Sequence, residues 1–282
     1  MKENTLILQA HAKINLGLRI LGRRPGDAYH LLETVFQELD FGDEIRIREM
    51  KRKGSPQQRF RLRCSDPELP ADGSNLILKA LALMLPRLPE DLGLDITLRK
   101  RIPLGSGLGG GSSDAAAMLK YLNRYAKLPQ EELHARALQL GADVPFFLLG
   151  GTAYAQGIGD KLRKLEIPKD WYAVLVFPGF GISTPGAYAA LRISLTDRVK
   201  KAIIPSQLEK GFSWEIFENT FDAAIIPSYP RIGEIRDRLY QKGAVYAALS
   251  GSGSTVFGIC ESCDIAEKAS AAFDHALIAR PL

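Results

Sequence analysis

The sequence predicts an α+β protein with two sandwich-like layers. Runs of alternating or apolar residues, typical of strands, are interspersed with segments of helical periodicity along the chain. The 282 residues are 46% hydrophobic and 24% charged, a composition that suits one large or two modest domains with a buried core. The polar segment 161–170, which contains Pro168, predicts a boundary between domains 1–165 and 166–282.

Strands and helices are interspersed in the predicted first domain. The expected strands are at 5–22, 43–48, 60–64, 94–98 and 152–156, with 43–48 and 60–64 flanking a polar hairpin. Helical periodicity predicts helices at 75–85, where Pro86 ends the pattern, at about 113–125, and from Pro129 onward.

The predicted second domain has strands at 172–177, 245–249 and 255–260. A mostly helical and irregular stretch is expected at 185–227. A helix at 230–242 ends at Gly243, a typical C-terminal capping residue, and a last helix is expected at 265–278.

Composition excludes several classes of protein. No apolar run reaches the ~20 residues of a membrane span, and the amino terminus lacks signal-peptide character, so a cytoplasmic protein without a membrane partner is expected. The three cysteines, Cys64, Cys260 and Cys263, are too few for a disulfide framework or a complete zinc site, which predicts reduced thiols. The net charge of +5 fits either a nucleic acid or an anionic small substrate. The basic groups at 51–53 and 59–63 are interpreted as solvated, whereas Arg99–Arg101 precedes a glycine-rich loop.

The glycine loop, residues 103–113, is the most informative segment. It reads Pro103-Leu104-Gly105-Ser106-Gly107-Leu108-Gly109-Gly110-Gly111-Ser112-Ser113 and leads into an alanine-rich helix. Glycines allow close approach of the backbone to a ligand, and the amides at the start of a helix favour an anion. The loop is therefore interpreted as a phosphate-binding cradle rather than a flexible linker.

The better-known phosphate loops do not fit this segment. A Walker loop requires lysine where Gly111 stands. The Rossmann spacing is formally met, but the acidic Glu131 and Glu132 open another helix instead of ending a second strand. A protein-kinase loop would be followed by HRD and DFG motifs, which this sequence lacks.

Five segments in a fixed order carry a family resemblance. They are Ala12-Lys-Ile-Asn-Leu16, Tyr29-His30, Pro103–Ala116, Gly141-Ala-Asp-Val-Pro145 and Ser250–Ser254. With them the chain resembles the GHMP kinases. The resemblance implies a two-domain GHMP kinase fold, with an N-terminal domain similar to a ribosomal-protein domain and a ferredoxin-like C-terminal domain. It implies transfer of a phosphate from ATP, with Mg²⁺, to a hydroxyl group.

Within the family, the likeness is to members that phosphorylate a cytidine-diphosphate derivative of a sugar alcohol in non-mevalonate isoprenoid biosynthesis. The implied partner is thus a small molecule and not a nucleic acid. Two departures concern the substrate loop and the C-terminal domain: Ala28 replaces a glycine before Tyr29, and Asn219-Thr-Phe-Asp222 replaces a related polar segment.

Two residues are implied in catalysis. Asp143 follows a helix that Gly141 would cap, and neighbouring apolar residues predict partial burial. An aspartate there is often only a turn residue, but the resemblance implies that it is the base. Lys13 shares one face of a predicted strand with His11 and Asn15. A lysine in a strand usually faces solvent, but the resemblance implies that Lys13 orients the hydroxyl and pairs with Asp143.

The remaining implied contacts concern the two substrates. For ATP they are the glycine loop, in which Ser112 or Ser113 reaches Mg²⁺ or a phosphate oxygen, and Asn75 and Lys100 beside the adenine. Lys100 would either stack on the base or contact the phosphates. For the cytidine compound they are Asn15, Tyr29, His30, Thr184 and Tyr188. Tyr29 and Tyr188 would sandwich the cytosine while His30 reads its edge. Ser250–Ser254 is expected to face the glycine loop, with an ordinary hairpin turn as the alternative.

Two other functions remain open at this point. One is a different GHMP kinase, such as a mevalonate or homoserine kinase. The other is a catalytically silent nucleotide-binding protein of the same fold. The sequence does not assign metal ligands or an oligomeric state.

Overall fold

The computed structural model describes residues 5–24, 26, 29–191 and 202–282. The described strands are β1 Thr5–Arg23, β2 His30–Lys51, β3 Phe60–Cys64, β4 Leu92–Arg99, β5 Thr152–Gly157, β6 Lys161–Lys164, β7 Tyr172–Val176, β8 Tyr246–Leu249, β9 Val256–Cys260 and β10 Ala276–Ala279. The described helices are α1 Pro56–Arg59, α2 Leu76–Met84, α3 Gly110–Ala126, α4 Gln130–Leu140, α5 Val144–Leu149, α6 Thr184–Ala190, α7 Ile204–Leu208, α8 Thr220–Ile225, α9 Pro230–Gln241 and α10 Cys263–Ser270.

Two compact units share the chain, and their segments alternate along the sequence. The first unit takes in the described residues of Met1–Ala12, Gly42–Pro103 and Gly109–Leu149. The second takes in those of Lys13–Phe41, Leu104–Leu108 and Gly150–Leu282. The long strands β1 and β2 each contribute one part to each unit. The boundary expected at 165 stays a prediction.

In the first unit, strand β4 lies between β2 and β3. The second half of β2 pairs antiparallel with β4, so that Ile47 faces Ile96, and β4 pairs parallel with β3, so that Ile96 faces Leu62. The expected hairpin between 43–48 and 60–64 is therefore wrong. The two strands do not pair because β3 is connected to β4 through α2, a crossover that parallel strands require. The connection between β2 and β3 instead contains the short helix α1 and the buried Arg59.

Buried Arg59 also corrects the interpretation of the basic groups as solvated. Its guanidinium donates to the backbone oxygen of Leu92 (2.9 Å) and to that of Pro89, so it ties α1 to the strand β4 and the residues before it.

The second unit contains two sets of paired strands. The first half of β2 pairs antiparallel with β5, and β5 with β6. Separately, β10, β7, β9 and β8 form a four-stranded sheet in that order, in which every neighbour is antiparallel. Buried apolar side chains of this sheet and of α8, α9 and α10 form one core, which includes Val174, Phe221, Ile235 and Ala266. Strands β8 and β9 are joined by residues 250–255, called here the β8–β9 turn.

Most expected elements are confirmed, but 43–48 is only part of the longer strand β2, and helices α1 and α5 were not expected. Three further differences concern α3, β6 and the segment 265–279. The helix after the glycine loop begins at Gly110, three residues before the expected start, so Gly110 to Ser112 belong to its first turn. Strand β6 was missed because its four residues are largely exposed and have no apolar alternation. The expected last helix is wrong in its second half, since α10 ends at Ser270 and 276–279 add strand β10 beside β7.

Two further observations concern the described part of the chain. Its three cysteines are free thiols. None of its helices combines the length and the apolar character that crossing a membrane requires.

Candidate functional site

In the second unit, the first part of the glycine loop packs against the β8–β9 turn. The amides of Ser254 and Thr255 donate to the carbonyls of Gly105 and Ser106, at 3.3 and 3.1 Å. Gly107 has φ +78°, and a Cβ there would lie 2.1 Å from the carbonyl oxygen of Ser250. Only glycine allows this approach. The expectation that Ser250–Ser254 faces the glycine loop is confirmed.

Lys13 is buried against the same loop. Its backbone amide donates to Leu108 O at 3.0 Å. Its ammonium donates to Gly107 O at 3.1 Å and to Asn15 Oδ1 at 2.7 Å, and the residue is only 4% exposed. Lys13 therefore does not face solvent, as a lysine within a strand usually does.

Asn15 is oriented by a residue that sequence analysis missed. The Asn15 amide donates to Thr34 Oγ1 at 2.9 Å, and the Thr34 hydroxyl donates to Gly17 O at 2.6 Å. These bonds fix the Asn15 amide so that its oxygen faces Lys13. Thr34 is completely buried within β2. No signal in the sequence of β2, which also contains Glu33 and Gln37, singles out Thr34.

The side chain of Asn219 is hydrogen-bonded to the β8–β9 turn and to the residue before it. Its side-chain amide donates to Leu249 O (2.8 Å) and Gly251 O (2.9 Å), while its oxygen caps α8 by accepting from the amide of Phe221. A Cβ on Gly251 would lie 3.2 Å from Asn15 Oδ1, so the turn also contacts the Lys13–Asn15 pair. Asn219 belongs to the segment noted above as a departure from the family pattern, and its capping position was the only sequence signal.

His30 and Tyr188 form an aromatic pair in the second unit. Their ring centroids are 4.8 Å apart with an interplanar angle of 27°, and His30 is 8% exposed. Its Nε2 atom is buried without a hydrogen-bond partner among the described residues. Burial and the nearby Arg23 lower the pKa of His30, which keeps the imidazole neutral at pH 7. A neutral imidazole with an unpaired nitrogen is suited to recognise a polar ligand edge.

The two tyrosines predicted to sandwich cytosine are not stacked on each other. Tyr29 is 56% exposed and lies beside the guanidinium of Arg24, whereas Tyr188 stacks on His30. Thr184, at the start of α6, places its hydroxyl 3.3 Å from that of Ser252 in the β8–β9 turn. The sandwich stays a prediction, and Ala28 lies outside the described residues.

In the first unit, the glycine loop continues into the 17-residue helix α3. Gly109 precedes it with φ +73°, and no side chain caps its first turn. Amides of an uncapped first turn are available to an anion and are favoured by the helix dipole. Gly111 is exposed, while Ser113 is buried.

Asp143 lies in the same unit, immediately before α5. It is half-buried, as expected, and follows Gly141, the residue that caps the C-terminus of α4 and adopts an extended backbone. A Cβ on Gly141 would lie 3.8 Å from Ser112 Oγ, so the segment carrying Asp143 contacts the first turn of α3. The pairing of Asp143 with Lys13, which belongs to the other unit, stays a prediction.

Asn75 and Lys100 both make local bonds. Asn75 caps α2 by accepting from the amide of Ile77 and donates to Pro70 O at 2.8 Å. Lys100 has a buried ammonium that is paired with Asp43 and Asp114. The expected adenine contacts of both residues stay predictions, and stacking by Lys100 would require its ammonium to leave two carboxylates.

The described residues contain no group of three or more histidine, cysteine, aspartate or glutamate side chains arranged to hold a metal ion. Mg²⁺ in kinases is usually held by one or two carboxylates together with the nucleotide phosphates.

Comparisons with known proteins show the family of this chain. Residues 75–151 match the GHMP kinases N terminal domain, and residues 208–279 match the GHMP kinases C terminal domain. The fold and these matches define a small-molecule kinase. The chain belongs to the GHMP kinase family. GHMP kinases use ATP as the phosphate donor, generally with Mg²⁺.

Several relatives carry the same name. The chain is 42% identical over 272 residues to a 4-diphosphocytidyl-2-C-methyl-D-erythritol kinase from Prosthecochloris aestuarii, covering 94% of this chain and 92% of the relative. It is 44% identical to the kinase of that name from Chlorobium phaeobacteroides, covering 94% and 93%. A crystal structure of 4-(cytidine 5'-diphospho)-2C-methyl-D-erythritol kinase is 34% identical and superposes with a TM-score of 0.77, covering 98% of this chain and 99% of that one.

Proposed function

We propose that this chain transfers the γ-phosphate of ATP to the 2-hydroxyl of 4-diphosphocytidyl-2-C-methyl-D-erythritol, with Mg²⁺, in non-mevalonate isoprenoid precursor biosynthesis. Relatives more than 40% identical over nearly the whole chain support the substrate. The structural observation that carries the proposal is the buried Lys13 ammonium, held by Asn15 and by a carbonyl of the glycine loop.

The glycine loop, residues 103–113, is proposed to bind the phosphates of ATP. The positive φ values of Gly105, Gly107 and Gly109 turn the backbone into a conformation that ordinary residues disfavour. The uncapped first turn of α3 adds amides that point along the helix axis. Together these features supply neutral donors for a highly charged ligand and leave little room for side chains.

Phosphoryl transfer needs positioning and charge stabilisation more than covalent chemistry. Asp143 is proposed to accept the proton of the attacked hydroxyl, and its half-buried position leaves it accessible to a substrate. Lys13 is proposed to orient that hydroxyl and to stabilise charge that develops on the transferred phosphate. Ser112 or Ser113 is proposed to reach a phosphate oxygen or Mg²⁺, which when bound would neutralise phosphate charge.

The cytosine is proposed to be recognised by His30, Tyr188 and Tyr29, with Asn15 and Thr184 contacting the rest of the substrate. The unpaired Nε2 atom of His30 supports this role, because a buried polar atom without a partner is costly unless a ligand completes its bonding. Since Tyr188 stacks on His30, the base would stack on an existing aromatic pair.

The proposed partners are small molecules alone. The reaction consumes ATP and a nucleotide-linked intermediate, so we place it in the cytoplasm, where both would be available. We therefore propose no nucleic-acid ligand for the exposed basic residues.

The deciding experiment measures ATP consumption with and without the cytidine substrate, beside a panel of mevalonate, homoserine and free 2-C-methyl-D-erythritol 4-phosphate. Consumption should depend on the cytidine compound, and ³¹P spectroscopy of the product should show a new phosphomonoester. Lys13→Met should abolish turnover, whereas Lys79→Met, on α2, serves as the control. Faster phosphorylation of mevalonate or homoserine would overturn the specific substrate. Absence of turnover with every substrate would overturn the kinase assignment in favour of a silent nucleotide-binding protein.

A further inference from the structure

Three charged side chains are buried together beneath the start of α3. Lys100 follows β4, Asp43 lies in β2 and Asp114 lies in the second turn of α3; they are called here the buried triad. The Lys100 ammonium pairs with Asp43 Oδ2 and lies 2.9 Å from Asp114 Oδ2. The exposed fractions of the three side chains are 4%, 0% and 4%.

The triad contacts both ends of the glycine loop. At the entrance, Asp43 Oδ1 accepts from the backbone amides of Arg101 (2.6 Å) and Ile102 (2.8 Å), which lie immediately before the loop. At the exit, a Cβ on Gly110 would lie 2.8 Å from the Lys100 ammonium and 3.0 Å from Ile102 Cγ2. The triad therefore contacts the backbone at both ends of the loop: at Arg101 and Ile102 before it, and at Gly110 where α3 begins.

This cluster is poorly suited to increase stability alone. It buries two carboxylates against one ammonium, and Asp114 Oδ1 has no hydrogen-bond partner among the described residues. Buried ion pairs often contribute no more stability than apolar side chains of similar volume. What hydrogen-bonded charges add is a defined direction and distance, which apolar packing does not provide.

We propose that Asp43, Lys100 and Asp114 are positioning residues that hold the two ends of the glycine loop at the separation in which its amides can bind ATP. This inference rests on the proposed function of the loop. It assigns Lys100 a role through the backbone of the loop, in place of a direct contact with the base. It also explains why Gly110 is glycine, since any side chain there would displace the ammonium.

The test uses Asp114→Asn and Asp114→Ala, with Asp95→Asn as the matched control. Asp95 also pairs with two basic residues in the same unit, Arg48 and Arg52, but on the outer face of β4. Asparagine can still accept from Lys100 and should raise KM for ATP about threefold; alanine should raise it about tenfold or more. The kcat and the KM for the cytidine substrate should stay near wild type, because the triad acts on ATP binding alone. Asp95→Asn should leave KM for ATP unchanged.

Direct calorimetry of ATP binding separates the possible failures. A wild type that binds no ATP overturns the proposed function and this inference with it. A wild type that binds ATP, with Asp114 variants that bind it equally well, overturns this inference alone. A fall in apparent kcat that tracks the unfolded fraction, with both KM values unchanged, assigns the triad a merely structural role and also overturns it.

Hydrogen exchange on the wild type tests the geometry without any variant. The amides of Arg101 and Ile102 should be strongly protected before ATP is added, since a buried carboxylate accepts from both. Exchange at the rate of the exposed part of the loop would overturn the proposal even if the Asp114 variants failed to fold.

Discussion

Gly107→Ala tests whether the β8–β9 turn holds the glycine loop in place. The new Cβ would lie 2.1 Å from Ser250 O and 2.9 Å from Gly253 O, and both atoms belong to the backbone. No rotamer change can relieve this overlap, so the loop and the turn must separate. The separation would break the bonds that Gly107 O accepts from Lys13 and Ser250, and those that join Ser254 and Thr255 to the loop.

The expected loss follows from these contacts. Four hydrogen bonds at about 1 kcal/mol each amount to about 4 kcal/mol if all are lost. The left-handed backbone at φ +78° costs an alanine about 1 kcal/mol more. Partial relaxation will recover some of this, so we expect Gly107→Ala to lower the free energy of unfolding by about 3–4 kcal/mol.

Gly105→Ala is the matched control, because Gly105 also has a positive φ, +63°, but the nearest atom to its new Cβ is 3.8 Å away. Gly105→Ala should lower the free energy of unfolding by only about 1 kcal/mol, the cost of a left-handed backbone conformation for alanine. Urea unfolding of both variants measures the difference, and calorimetry with ATP shows whether the displaced loop still binds nucleotide. Equal destabilisation by the two substitutions would refute the argument, since the only large difference between them is the contact with Ser250.

Four further predictions concern catalysis, nucleotide binding, specificity and pH. Asp143→Asn should lower kcat by more than 100-fold, about 3 kcal/mol in the barrier, and leave ATP binding intact; a loss below tenfold in stopped assays would exclude Asp143 as the base. Gly109→Val should weaken ATP binding in calorimetry without unfolding the protein, because a β-branched residue disfavours φ +73°; unchanged affinity would contradict the role of the loop. His30→Ala should remove most of a cytosine-over-uracil preference of about 30-fold or more in kcat/KM, and a preference that persists would assign recognition to other groups. Burial raises the pKa of Asp222 to about 6, from an ordinary value near 3.8. Its contribution to stability is therefore present below about pH 4 and lost as the pH rises through 6, so Asp222→Asn should gain up to about 3 kcal/mol relative to wild type between pH 4 and 7. Urea unfolding at both pH values checks this, and a pH-independent difference would contradict it.

Much of the site could be predicted from sequence because its signals are local. The glycine loop is recognisable from its composition, and its exit into a helix follows from the alanine-rich segment behind it. Asn75 caps the start of α2, a position that favours asparagine. Gly243 lies just after the end of α9, a position that favours glycine. Lys13 and Asp143 are identified by short motifs, although their roles came from the family resemblance and remain to be tested.

Other parts of the site depend on contacts between distant residues. Thr34 and Asn219 orient Asn15 and the β8–β9 turn, but each is an ordinary polar residue until the strands and turns around it are assembled. Lys100 was expected beside the adenine, and only the proximity of Asp43 and Asp114 shows that it is buried and paired. The partners of Thr34, Asn219 and Lys100 are too distant in the sequence to be found from a short segment around each residue.

The sequence by itself determined which segments become helices and strands and which loop can approach an anion, because helical periodicity, capping and glycine conformation act over a few residues. Tertiary structure alone decided that β4 separates β2 from β3 and that 276–279 pairs as a strand beside β7. It also decided that Lys13 is buried against Gly107 rather than solvated. Strand pairing and burial depend on free energy from residues far apart in the chain, which is gained only once those residues meet.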